Sequence, residues 1–124
     1  MKRSYTNDLQ VIPASIYPCN IYVFRGATYS GIEEHLKEID TQLLTLIKKE
    51  YFNNPGYTFC TNAGDIVILL RNDHVKNISI VAHECFHAVE FIMDIIGCPL
   101  NENSSEPYAY LLGYLTDLIF NYDN

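Results

Sequence analysis

The chain has 124 residues, which fits a single domain over residues 1–124. Hydrophobic residues make up 48% and charged residues 19%, enough to bury a core and unlike the composition of a disordered chain. Fifteen acidic residues stand against eight basic ones for a formal charge of -7, and no Lys/Arg stripe is present to neutralise phosphate, so nucleic acid is excluded as a direct partner.

No apolar stretch follows Met1-Lys2-Arg3, and no run of 18 apolar residues occurs anywhere. The expectation is a cytoplasmic protein without membrane association. Its four cysteines, Cys19, Cys60, Cys85 and Cys98, then read as free thiols.

The first predicted element is a strand over Ile21–Phe24, rich in β-branched and aromatic residues and closed by Gly26. A long helix follows from an N-cap at Ser30. Glu33 completes a capping box, and Ile32, Leu36, Ile39, Leu43, Leu46 and Ile47 recur at helical spacing. Lys48 and Lys49 suit its C-terminal end, and Asn53 to Gly56 stop it. Tyr57–Thr61 and Ile66–Leu70 flank the turn Asn62-Ala63-Gly64-Asp65 and predict a hairpin. Ile66–Leu70 is apolar throughout, as an inner strand should be. A second helix spans about Asn77 to Ile96, with Ile78, Ala82, Cys85, Val89, Ile92 and Ile96 as its core face and Gly97 and Pro99 as its stop. A third starts near Ser104 or Ser105, with Pro107 in its first turn and Tyr108, Leu111, Leu112, Leu115 and Ile119 facing the core. The order is β-α-β-β-α-α, an α+β fold with a small mixed sheet packed on helices.

The second helix carries His83-Glu84-Cys85-Phe86-His87, which is HExxH. Residues i and i+4 lie about 40° apart and one turn along a helix, so both imidazoles reach one ion. Glu84 lies beside them, where a carboxylate acts as general base on water. A stripe of His83, His87, Glu90 and Asp94 on an otherwise apolar helix predicts a covered helix whose polar side faces a cleft.

A catalytic zinc takes three protein ligands, so a third is expected from another element. Glu106, 19 residues after His87 at the start of the third helix, is the first candidate. Glu102 and Glu90 are its rivals, and Glu90 fits better as the group that holds an imidazole N–H. The competing explanation for Glu106 is that a first-turn carboxylate simply complements the helix dipole.

These residues resemble the zincin superfamily of zinc metallopeptidases, in the gluzincin form whose third ligand is a glutamate. The similar segment runs from Ile78 to about Leu115, with Glu106-Pro107-Tyr108-Ala109-Tyr110 opening the glutamate helix. The resemblance implies one Zn2+ per chain, held by His83, His87 and Glu106. It further implies Glu84 as general base, a minimal zincin fold and a peptide or protein substrate bound along an exposed strand. Many gluzincins carry an aspartate one turn after the glutamate, where this chain has Tyr110. Tyr110, Glu90 and His74 are candidates for supporting roles around the metal or the transition state, and Tyr108 and Tyr114 join them as possible donors. A second class of function stands beside the enzyme: an inactive zincin-like module, of phage or mobile-element origin, that binds a protein partner.

Overall fold

A computed structural model describes residues 8–13, 17–26, 28–38, 40–71 and 76–122. Four strands form one mixed sheet: β1 (Asp8–Ile12), β2 (Ile21–Arg25), β3 (Gly56–Cys60) and β4 (Ile66–Leu70). Their order is β1-β2-β4-β3. β1 runs antiparallel to β2, β2 parallel to β4, and β3 antiparallel to β4. Four helices accompany them: α1 (Tyr29–Leu36), α2 (Thr41–Leu46), α3 (Ile78–Ile95) and α4 (Ser105–Phe120).

The α+β class is as the sequence predicts. β4 is buried at all five positions because both faces of the sheet are covered. Ile66, Ile68 and Leu70 join Ile21 and Val23 against α3 and α4. Val67 and Leu69 join Phe24 on the other face, against Ile32, Leu36, Leu43 and Ile47 of α1, α2 and the residue that follows.

Two elements differ from expectation. β1 was not anticipated, because its inward side chain is polar: Gln10 is buried and accepts a hydrogen bond from Arg25 Nη2. Arg25 is 2% exposed at the end of β2, donates to the Ile119 carbonyl at 2.6 Å, and stacks 4.3 Å from the Tyr122 ring centroid. Gln10 in turn lies within reach of the Leu118 carbonyl. One buried guanidinium therefore joins β1, β2 and the end of α4.

The long helix expected from Ser30 is also interrupted. Thr28, not Ser30, caps α1, with its Oγ1 accepting from Gly31 N at 3.1 Å. Asp40 then caps a separate α2 through Leu43 N at 3.0 Å, and Lys49–Asn53 forms a 3-10 turn. Ile39, placed on the predicted helical stripe, lies outside the described residues, as does His74.

α3 ends as predicted. Gly97 has φ 73°, and Cys98 N donates back to the Met93 carbonyl at 2.8 Å, which closes the helix in a left-handed turn. Its buried arc is centred differently from the expected one. Val81, Ala88 and Met93 are buried, while Ile78 and Ile96 at the two ends are 49% and 45% exposed. α4 starts after Ser104, and Tyr108, Leu111, Leu115 and Ile119 are buried as expected. All four cysteines are free. Among the described residues, no helix is long and apolar enough to cross a membrane.

Candidate functional site

α3 rises from an Asn77 cap, whose Oδ1 accepts from Ser79 N at 3.0 Å and Ile80 N at 3.3 Å. That start sets the phase that turns HExxH towards β3. β3 is an edge strand, and Gly56, Thr58 and Cys60 alternate onto the face that α3 covers. Between β3 and α3 runs a cleft of about 520 Å³ whose walls include Gly56, Tyr57, Thr58, Ile80, His83, Glu84, His87 and Phe91.

The two imidazoles converge in this cleft. His83 Nε2 and His87 Nε2 stand 3.2 Å apart, with the rings nearly perpendicular at 80°. Two nitrogens on one tetrahedral zinc, each at 2.0–2.1 Å, are about 3.3 Å apart. The observed spacing fits two neighbouring corners of one coordination sphere. His87 Nδ1 lies 3.0 Å from Glu90 Oε1. A carboxylate only accepts, so Nδ1 carries the hydrogen, and Nε2 is the ring nitrogen that would take a metal ion. Both rings are open to solvent, with side-chain exposures of 65% for His83 and 43% for His87.

Glu84 sits differently. It is 5% exposed, wedged between α3 and β3. Thr58 Oγ1 donates to Glu84 Oε1 at 2.7 Å, and the same hydroxyl lies 3.2 Å from the Glu84 carbonyl. Oε2 is left on the side of the imidazoles, 4.0 Å from His83 Nε2. Gly56 makes room for this carboxylate, since a Cβ there would stand 2.7 Å from Glu84 Cγ. Gly56 and Thr58 were not singled out from the sequence. The only local signal was a glycine opening a strand after Pro55, which reads equally well as a turn.

The other predicted site residues are placed as follows. Glu106 is exposed in the first turn of α4 and does not line either cavity that holds His87. The stripe from Tyr108 to Ile119 fixes the phase of α4, and Glu106 lies about 200° round the helix from Tyr108. Tyr110 and Tyr114 are exposed and line a separate apolar groove with Pro107 and Ile12. Tyr108 is buried, and its hydroxyl donates to the Cys98 carbonyl at 3.1 Å. Glu102 is exposed in the loop before α4. Among the described residues, no three His, Cys, Asp or Glu side chains form a ready-made ion cage. The site therefore brings together His83, His87, Glu84 and Glu90, with Thr58 as an added member.

No protein-family model, curated protein or solved structure matches this chain.

Proposed function

We propose that the chain is a zinc-dependent peptidase in which His83 and His87 hold the ion and Glu84 is the general base. The observation that carries this reading is the 3.2 Å convergence of the two Nε2 atoms beside a buried, hydroxyl-held carboxylate. A bound divalent cation supplies Lewis acidity to the scissile carbonyl and acidifies water. Glu84 accepts the proton of the attacking water on Oε2 and delivers it to the leaving amine. Thr58 fixes the opposite oxygen, so the carboxylate does not turn away between the two transfers. Glu90 holds the His87 tautomer. Among the described residues no strand pairs with the outer edge of β3, which would offer its backbone groups to an extended peptide.

Glu106 belongs to this proposal on sequence grounds alone, as third ligand. Its exposed position favours the second reading, an inactive zincin-like module that binds a protein partner. Metal content separates the cases. Elemental mass spectrometry on protein purified without chelators is expected to give about one zinc per chain, lost in His83→Ala. Loss in Glu106→Ala as well brings that residue into the ligand set, and retention leaves the two imidazoles as the protein's ligands. Wild type that stays metal-free after zinc is added back refutes the proposal. Glu84→Gln should keep the metal and lose peptide hydrolysis.

A further inference from the structure

The stripe that carries the imidazoles continues past them. Asp94 follows Glu90 by one turn of α3, and both line a second cavity of about 390 Å³ with His87, Phe91, Pro99, Leu100 and Tyr108. His87 and Phe91 also line the cleft that holds His83 and Glu84, so the two spaces are neighbours along the helix and share these two walls. The floor is apolar: Phe91, Pro99 and a half-exposed Leu100. No Lys or Arg is among the described residues that line it.

The charge there is held against local preference. Like charges one turn apart on a helix repel, and the carboxyl end of a helix disfavours a further negative charge. The last turn of α3 has no basic residue to offset either effect. An apolar floor leading to two carboxylates matches a side chain with an aliphatic stem and a cationic tip.

We infer that this cavity is the subsite for a lysine or arginine of the peptide that enters the His83–Glu84–His87 cleft; the inference rests on the peptidase reading. The stem lies on Phe91, Pro99 and Leu100, and the cationic head reaches Glu90 and Asp94. Asp94 is a specificity residue and takes no part in the chemistry.

The test uses fluorescently labelled peptide pools, degenerate in Ala, Ser and Gly, with one fixed Lys, Arg, Leu or Glu. Binding is read by anisotropy on the Glu84→Gln protein in zinc, and hydrolysis of the same pools by wild type is measured in parallel. The Lys and Arg pools are expected to bind about tenfold tighter than the Leu pool, with the Glu pool weakest. Adding Asp94→Lys should invert the order of the Lys and Glu pools. Adding Glu34→Lys, the same charge change on exposed α1, should leave the order intact and so separates the subsite from the net charge of -7. The subsite is overturned if no pool binds, if Asp94→Lys leaves the order unchanged, or if Glu34→Lys moves it equally. Charge-ordered binding without any hydrolysis refutes the peptidase and keeps the subsite. Hydrolysis without charge order does the reverse.

Discussion

Gly56→Ala gives a direct test of how Glu84 is seated. The backbone at Gly56 does not have a positive φ, so alanine meets no conformational penalty there. In open space the substitution would stabilise the strand by about 0.5–1 kcal/mol. Here the new methyl would stand 2.7 Å from Glu84 Cγ and 3.1 Å from both Cδ and Oε2. Overpacking of that kind costs about 1–3 kcal/mol. The side chain cannot yield freely, because movement strains a charge-assisted bond from Thr58 worth about 1.5–3 kcal/mol. The net expectation is a loss of up to about 2.5 kcal/mol in wild type, after the strand gain is subtracted. In a Glu84→Ala background the obstacle is gone, and the same substitution should stabilise by about 0.5 kcal/mol. Guanidinium unfolding of the four proteins in chelator measures this without reference to metal or activity. Equal effects of Gly56→Ala in both backgrounds would show that Glu84 does not occupy the space beside β3, and the site description would fail.

Two further predictions concern side chains packed around α3. Burial pushes the Cys85 thiol up to about 11 from an ordinary value of 9.0. The folded chain therefore keeps a proton that the unfolded chain gives up. That stabilisation is complete below pH 9 and fades as pH rises towards 11, by about 2–3 kcal/mol in total. Urea titrations from pH 8 to 11 should show this slope in wild type and a shallower one in Cys85→Ala; identical slopes would contradict it. Thr58→Val removes the donor to a buried carboxylate and should cost about 1.5–3 kcal/mol at pH 7, with Thr58→Ser recovering most of it. A valine variant as stable as wild type would mean that Glu84 Oε1 has no need of the hydroxyl.

Much of the architecture was legible because hydrophobic periodicity and capping pointed the same way. α3, α4 and β4 have uninterrupted apolar patterns, clear caps and a glycine or polar stop, and each lies within a residue or two of its predicted span. Where a polar residue does structural work inside the protein, the pattern misleads. β1 presents Gln10 to the interior for the sake of Arg25, so its alternation looks like a loop. The α1–α2 segment keeps helical spacing in its buried residues, and that spacing hid the break that the Asp40 cap introduces. In the site, the His83–His87 pair and its orienting carboxylate Glu90 follow from helical geometry alone, since all three lie on one helix. Thr58 and Gly56 arrive from a strand 26 and 28 residues away, and the placement of Glu106 depends on the rotation of α4. Relations between elements of that sort are set by packing, which a local pattern does not encode.

The Arg25 junction has a consequence for how the protein is made. Arg25 and its acceptor on Ile119 are 94 residues apart, and Gln10 and Leu118 are 108 apart. At a synthesis rate of about 5–20 residues per second, the guanidinium waits about 5–20 s before its carbonyl partner exists. During that interval β1 has no α4 to close against, and a charge destined for the interior remains solvated at the end of β2. The α1, α2, β3 and β4 units are complete earlier and draw on nearer contacts. α4 can dock only after all four strands of the sheet have been made, and its docking covers one face of that sheet and supplies the Arg25 guanidinium with its carbonyl acceptor.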